Sequence, residues 1–342
     1  MLFIPSKLLF MSCLVMGTLI SISANSWLSV WMGLEMNLLS FIPLMSNQNN
    51  ILTSEASLKY YLIQAFASAI LLFSLLGNTL LPNLFFDFNF IFILLLNFAL
   101  LLKMGAAPFH FWFPGVMEGM NWMNCLILMT WQKIAPLMLI SYLIEMDNFI
   151  YTVILSSIII GSLGGLNQTS LRKIMAYSSI NHLGWMIAAL VLGNNLWIMY
   201  FCLYTFLSSS VVFLFSNFNV YHMNQNFLLL ANNKMVKFYL FISLLSLGGL
   251  PPFLGFLPKW IIIQTMTESN NFSLITFMVI MTLITLFFYI RITFSSFLLA
   301  YSELKWNMNN LMINPFSFSL MVITTTISTL GLILSTLIFE MI

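Results

Sequence analysis

Glu35, Lys103, Lys133 and Lys259 stand inside hydrophobic segments long enough to cross a bilayer. A charge at bilayer depth is costly, so each such residue marks a candidate functional site. A buried amine holds or releases its proton according to how near a carboxylate lies. Glu35 is the only carboxylate at depth, which makes it the natural partner of Lys103. Several such groups chained through water form a proton relay. His182, in Ser178-Ser-Ile-Asn-His-Leu-Gly184, suits a place between Lys133 and Lys259. Neutral imidazole can both donate and accept there. Tyr177, Ser178, Ser179 and Asn181 can hold water beside it. The residue types leave three alternatives open: static charge pairing that braces helices, a cation site, and amines that snorkel to the interface.

Two of these lysines lie beside the same proline pattern. Pro108-Phe109 is followed by Pro114, and Pro252-Phe253 is followed at the same spacing by Pro258, directly before Lys259. Proline lacks an N–H and clashes with the preceding turn, so each pattern interrupts its helix. Met104-Gly105-Ala-Ala-Pro108 and Leu247-Gly-Gly-Leu-Pro251-Pro252 are the expected breaks. Unwound backbone at this depth survives only when it is buried in protein or lines a wet cavity. Broken helices at corresponding places in two halves of a chain point to the ion path of a transporter.

The elements that carry these residues must be transmembrane helices. The chain has 342 residues, 61% hydrophobic and 6% charged, with a mean hydropathy of +1.00. Soluble domains carry about 25% charge. Long unbroken apolar runs favour helices over the ten-residue alternation of a strand barrel. Eleven spans are predicted: 3–22, 27–45, 57–77, 88–107, 123–144, 149–167, 174–193, 196–216, 236–264, 272–297 and 316–339. The first is too long for a signal-peptide core and lacks a cleavage site, so it reads as a retained span. With this count, Lys7, Lys59, Arg172, Lys173, Lys234, Lys237, Arg291 and Lys305 fall on the N-terminal side. Asp87, Glu145, Asp147, Glu268 and Glu340 fall on the other. The positive-inside rule makes the N-terminal side bacterial cytoplasm or mitochondrial matrix. Spans one to five and six to ten overlay with the proline pattern in the fourth member of each set. Five is odd, so the halves form an inverted repeat, residues 1–145 and 146–300, followed by a C-terminal helix in 301–342. The fold class is all-α and polytopic, with discontinuous helices.

Other residues bound the function by what they do not form. Cys13, Cys125 and Cys202 lie in apolar stretches and read as small buried hydrophobes. There is no His/Cys cluster for a metal or an iron–sulfur centre. A net charge of +2 gives no basis for nucleic-acid binding. No Walker loop, dinucleotide fingerprint or catalytic triad spacing occurs. His110 reads as a structural or gating residue in a connection on the N-terminal side, His222 as a loop residue, and Glu118, Arg172 and Lys173 as interfacial.

Six stretches carry a family resemblance over almost the whole length: Trp31-Met-Gly-Leu-Glu-Met-Asn-Leu-Leu-Ser-Phe-Ile-Pro43, Thr53-Ser-Glu-Ala-Ser-Leu-Lys-Tyr-Tyr61, Leu102-Lys-Met-Gly-Ala-Ala-Pro-Phe-His-Phe-Trp-Phe-Pro114, Trp131-Gln-Lys-Ile-Ala-Pro136, Gly164-Gly-Leu-Asn-Gln-Thr-Ser-Leu-Arg-Lys173 and Leu247-Gly-Gly-Leu-Pro-Pro-Phe-Leu-Gly-Phe-Leu-Pro-Lys259. In these the chain resembles the antiporter-like membrane-arm subunits of mitochondrial respiratory complex I, the NADH:ubiquinone oxidoreductase. The resemblance implies a multi-pass subunit of the inner mitochondrial membrane with its N-terminus in the matrix and its C-terminus in the intermembrane space. It implies proton translocation coupled to electron transfer from NADH to ubiquinone. Glu35, Lys103, Lys133 and Lys259 match the family's hydrophilic axis, with His182 as an additional member. Glu35 would modulate Lys103, Lys133 and His182 would pass protons along the midplane, and Lys259 would be the second gated lysine. It implies no cofactor in this chain, because flavin, iron–sulfur clusters and ubiquinone belong to other subunits. The implied partners are the neighbouring antiporter-like chains, other membrane-arm subunits and membrane lipids.

Overall fold

In hydrocarbon a backbone amide finds no water, so a single segment crosses the bilayer by pairing its own N–H and C=O groups as a helix. The computed structural model describes residues 5–47, 50–80, 86–143, 148–225, 234–298, 319 and 322–331. Their regular structure is helical, apart from an isolated antiparallel bridge between Ser170 and His222. The chain divides into two compact units, Met1–Ser156 and Ser157–Ile342.

The first unit contains α1 (Pro5–Ser23), α2 (Trp27–Met45), α3 (Ile51–Leu80), α4 (Phe86–Met104), α5 (Trp112–Gly119), α6 (Trp122–Met129) and α7 (Trp131–Ser141). It also holds the start of α8 (Asn148–Gly164). The pair α1 and α2 shows how the bundle closes. A Cβ on Gly33 would lie 2.7 Å from the Ser21 nitrogen, and one on Gly17 would lie 3.0 Å from the Asn37 nitrogen. The two backbones touch through these small residues, as membrane helices do where lipid offers no hydrophobic drive. Large apolar side chains such as Leu9, Leu58, Leu62, Phe66 and Phe73 point outward, as a hydrocarbon-facing surface requires.

The second unit contains the rest of α8, then α9 (Leu171–Leu192), α10 (Asn194–Phe218), α11 (Lys234–Gly248), α12 (Phe256–Glu268) and α13 (Phe272–Leu298). A further helix, α14, covers Val322–Gly331. The core of this unit is α9, whose best membrane window is 89% buried, against 22% for α1. Gly161 and Gly184 bring α8 and α9 together, since a Cβ on either would meet the other helix at 2.5 Å.

Among the described residues, seven helical segments are long and apolar enough to cross a membrane, and four shorter apolar helices accompany them. The chain is a multi-pass membrane protein. The predicted span 27–45 coincides with α2, and 57–77 widens into α3. The predicted span 123–144 is interrupted at Thr130, between α6 and α7, which the sequence reading did not anticipate. There the Thr130 hydroxyl donates back to the Leu126 carbonyl at 2.7 Å, a bond that bends helices. Most of the predicted C-terminal span 316–339, the rest of 301–342, and Lys305, Glu145, Asp147 and Glu340 lie outside the described residues.

The two proline patterns produce the same backbone turn. Helix α4 ends at Met104 and α11 at Gly248. Each is followed by a left-handed glycine, Gly105 at φ 72° and Gly249 at φ 80°. The Gly105 N–H reaches the Leu102 carbonyl at 3.2 Å, and the Ala106 N–H the Leu101 carbonyl at 3.1 Å. In the second turn the Gly249 N–H reaches Ser246 O at 3.1 Å and the Leu250 N–H reaches Leu245 O at 3.4 Å. These are Schellman closures, which only glycine accommodates without backbone strain. The chain resumes as helix at Trp112 and at Phe256, the same distance beyond each glycine.

Two predictions follow from this packing. Gly33→Leu is expected to wedge α1 from α2 at a cost of about 1–3 kcal/mol, seen as reduced yield of assembled protein. Gly115→Ala, whose new Cβ meets nothing within 4 Å, should be silent in the same assay. Gly249→Ala is expected to lower thermal stability by about 1–2 kcal/mol. Gly248→Ala, with its nearest contacts at an ordinary 3.6 Å, should not.

Candidate functional site

A helix that stops inside a membrane leaves its last carbonyls without intrahelical donors. At the first break these are met by side chains. Trp112 Nε1 donates to Leu102 O at 3.2 Å. Gln64 Nε2 donates to Lys103 O at 3.3 Å. Ser156 Oγ donates to Ala107 O at 3.3 Å. At the second break the Lys259 ammonium donates to Gly248 O at 2.7 Å, and the Leu254 N–H reaches Ser328 O of α14 at 3.0 Å.

Lys259 occupies the first turn of α12 and is 6% exposed. A cation at a helix N-terminus faces the positive end of that dipole. Its side chain instead turns back to the last carbonyls of α11, the negative end of another. Gly249 makes room for it, since a Cβ there would stand 3.0 Å from Lys259 Nζ.

Lys103 ends α4 on the other side of its break and is 7% exposed. It lines a cavity with Leu34, Asn37, Leu38, Tyr60, Gln64, Gln132 and Pro136. The space open to the centre of a water-sized sphere is about 10 Å³, the threshold for holding about one water. Gln132 Nε2 donates to Asn37 Oδ1 at 3.1 Å, tying α7 to α2 across it. Pro136 has no N–H, so the Gln132 carbonyl also loses its helical donor. Glu35 is half-buried on α2. Its charge acts on Lys103 through space, but the two make no direct ion pair. Lys59 and Glu55 form an ion pair on the exposed side of α3.

Lys133 lies just beyond the Thr130 interruption and is 1% exposed. Its amine stands 5.1 Å from the Phe113 ring centroid, a cation–π distance. Phe113 packs in turn against Gly105, where a Cβ would meet its ring at 3.1 Å. The first unit therefore gathers Glu35, Lys103 and Lys133 with the Gly105 turn.

In the second unit His182 lies on α9, 6% exposed. Its Nδ1 is 2.8 Å from the Tyr200 hydroxyl, and its ring centroid is 5.0 Å from that of Tyr204. Ser178 lies beside the Tyr289 hydroxyl, short of hydrogen-bond geometry. That hydroxyl and Asn181 Oδ1 are buried without a hydrogen-bond partner among the described residues. Buried polar atoms of this kind call for ordered water.

The remaining sequence candidates fall elsewhere. Pro108, Pro251, Pro252 and Pro258 all lie in or just beyond the breaks. His110 is 5% exposed inside the first break, with Nδ1 3.2 Å from Pro108 O. His222 is exposed beside the Ser170 bridge. Arg172 lies over the Tyr221 ring at 4.7 Å. Sequence reasoning gave no role to Asn37, Tyr60, Gln64, Gln132 or Tyr200. Their signal was a lone polar group in an apolar span, the same signal that singled out the lysines but without a charge to sharpen it.

Residues 24–285 match the family described as NADH:quinone oxidoreductase/Mrp antiporter, TM. Residues 286–339 match NADH dehydrogenase subunit 2 C-terminus. The chain is 55% identical over 343 residues to NADH-ubiquinone oxidoreductase chain 2 of Anopheles gambiae, covering 98% of each chain. It is 54% identical over 336 residues to the protein of that name from Aedes aegypti, again covering 98% of each. Among solved structures, a chain of respiratory complex I from Thermus thermophilus with bound aureothin superposes with a TM-score of 0.85. That match covers 96% of this chain and 78% of the other at 22% identity, a likeness of fold. With two family matches meeting end to end and relatives alike over nearly its full length, this chain belongs to the NADH-ubiquinone oxidoreductase chain 2 family.

Proposed function

We propose that this chain is a proton-translocating subunit of respiratory complex I in the inner mitochondrial membrane. The observation that carries the reading is common to three lysines. Lys103, Lys133 and Lys259 are 7%, 1% and 6% exposed, and each sits within about one turn of a helix interruption. An amine in apolar surroundings is costly. Interruptions are where unpaired backbone can hold water at bilayer depth. Amines and water at the same places make a route for protons.

In this reading Glu35 tunes Lys103, and Lys133, His182 and Lys259 complete the relay. Electron transfer from NADH to ubiquinone drives it from other subunits, which hold the flavin, the iron–sulfur clusters and the quinone site. The seven long and four shorter apolar helices support eleven spans. The identical turns at Gly105 and Gly249 support inverted repeats over 1–145 and 146–300, with a last helix in 301–342. The distribution of basic residues supports an N-terminus in the matrix and a C-terminus in the intermembrane space. Neighbouring antiporter-like chains, other membrane-arm subunits and lipids surround the chain.

The hydrogen bond from Lys259 to Gly248 favours a second reading for that residue, in which its amine braces the break. Proteoliposomes carrying the assembled complex separate the two. Lys103→Met is expected to lower the protons moved per NADH oxidised. A normally assembled Lys103→Met complex with unchanged stoichiometry would sink the proposal. Lys259→Met should lower the same ratio; if it lowers only thermal stability, bracing is the role of Lys259.

A further inference from the structure

Gln64 sits midway along α3 and is 5% exposed. Its Nε2 donates to the main-chain carbonyl of Lys103. A carbonyl only accepts, so the amide nitrogen must face it and the amide oxygen must face away. That Oε1 accepts no hydrogen bond from the described residues, and Gln64 lines the same cavity as Lys103. An ammonium group has three donors and no acceptor. Tyr60 and Gln132 add polar groups to the same wall. The residue that meets the end of α4 thus shares a cavity with the amine of that same helix.

We propose that Gln64 is a positioning residue for Lys103: anchored by its N–H on the Lys103 carbonyl, it holds its amide oxygen toward the Lys103 amine, directly or through one water, and favours the amine that carries a proton. The inference rests on the relay reading of Lys103. Other titratable groups on the surrounding elements are Glu35 on α2, Tyr60 on α3 in the same cavity wall, Glu55, Lys59 and Tyr61 elsewhere on α3, and Lys133 on α7, the last beside Phe113. Among the described residues, Gln64 is the side chain that both hydrogen-bonds the Lys103 backbone and lines its cavity.

The test is proton pumping by the assembled complex in proteoliposomes, followed from neutral to alkaline pH. Gln64→Met keeps the side chain's length and removes its acceptor. One hydrogen bond fewer to the charged form favours release of the proton, so the alkaline limb should move down by about one pH unit. Gln64→Glu restores an acceptor and adds charge, so the limb should move up. Equal loss at every pH in both variants would show a purely structural role and overturn the proposal. If Gln64→Met does not assemble, an unshifted limb in Gln64→Glu overturns it alone. Lys103→Met separates the two levels. Normal pumping there removes the relay reading and this inference with it. Loss of pumping there, with parental profiles in both Gln64 variants, removes only this inference.

Discussion

Every polar atom at a helix end inside a bilayer has to find a partner within the protein, and this requirement organises both units. A lost donor in water costs little, because water replaces it. In hydrocarbon it costs several kcal/mol. The Gly105 and Gly249 turns each expose a short run of carbonyls, and side chains from other elements meet them: Gln64, Trp112 and Ser156 at the first, Lys259 at the second. Satisfying the backbone therefore fixes which helices must touch. The contact of α3 with the end of α4 is a hydrogen-bonding necessity as well as a packing one.

The same closure yields two different amines. The backbone from Gly105 to Trp112 has its counterpart from Gly249 to Phe256, yet the lysines are not equivalent within it. Lys103 comes two residues before its glycine, so its carbonyl stays in the turn while its side chain leaves toward the cavity. Lys259 comes ten residues after its glycine, so its side chain returns to the turn and caps it. To give up a proton, Lys103 has only to find an acceptor in its cavity. Lys259 must first release a 2.7 Å bond to Gly248. One turn geometry thus supports a cavity-facing amine and a carbonyl-bound amine.

Much of this could be read from residue order alone. Apolar runs of bilayer length cannot be other than helices, and Gly followed by Pro stops them, so α2 and both breaks fell where expected. Thr130 escaped notice because threonine is tolerated in helices, and its effect comes from a hydroxyl bond to Leu126 that only the folded chain reveals. The distance between Lys103 and Glu35 was not legible either: the carboxylate acts on the amine without a direct ion pair, and Lys103 shares its cavity with the amides of Asn37, Gln64 and Gln132. A lone Gln in an apolar segment gives no sign of its partner, since Gln64 and Lys103 are far apart in sequence and meet only through packing.

The neutral surroundings of Lys103 bear on what that lysine can do. A carboxylate in contact would hold the charged form so firmly that the amine could not trade protons readily. Amide and phenol groups stabilise the charge by hydrogen bonds alone, which are weaker and depend on direction. With Glu35 acting from a distance rather than in contact, a small change in the approach of α2 alters the balance between the two forms of the amine. Lys133 has an aromatic face near its amine, the Phe113 ring. Around Lys103, amides in place of a contacting carboxylate leave the amine to weaker, directional interactions.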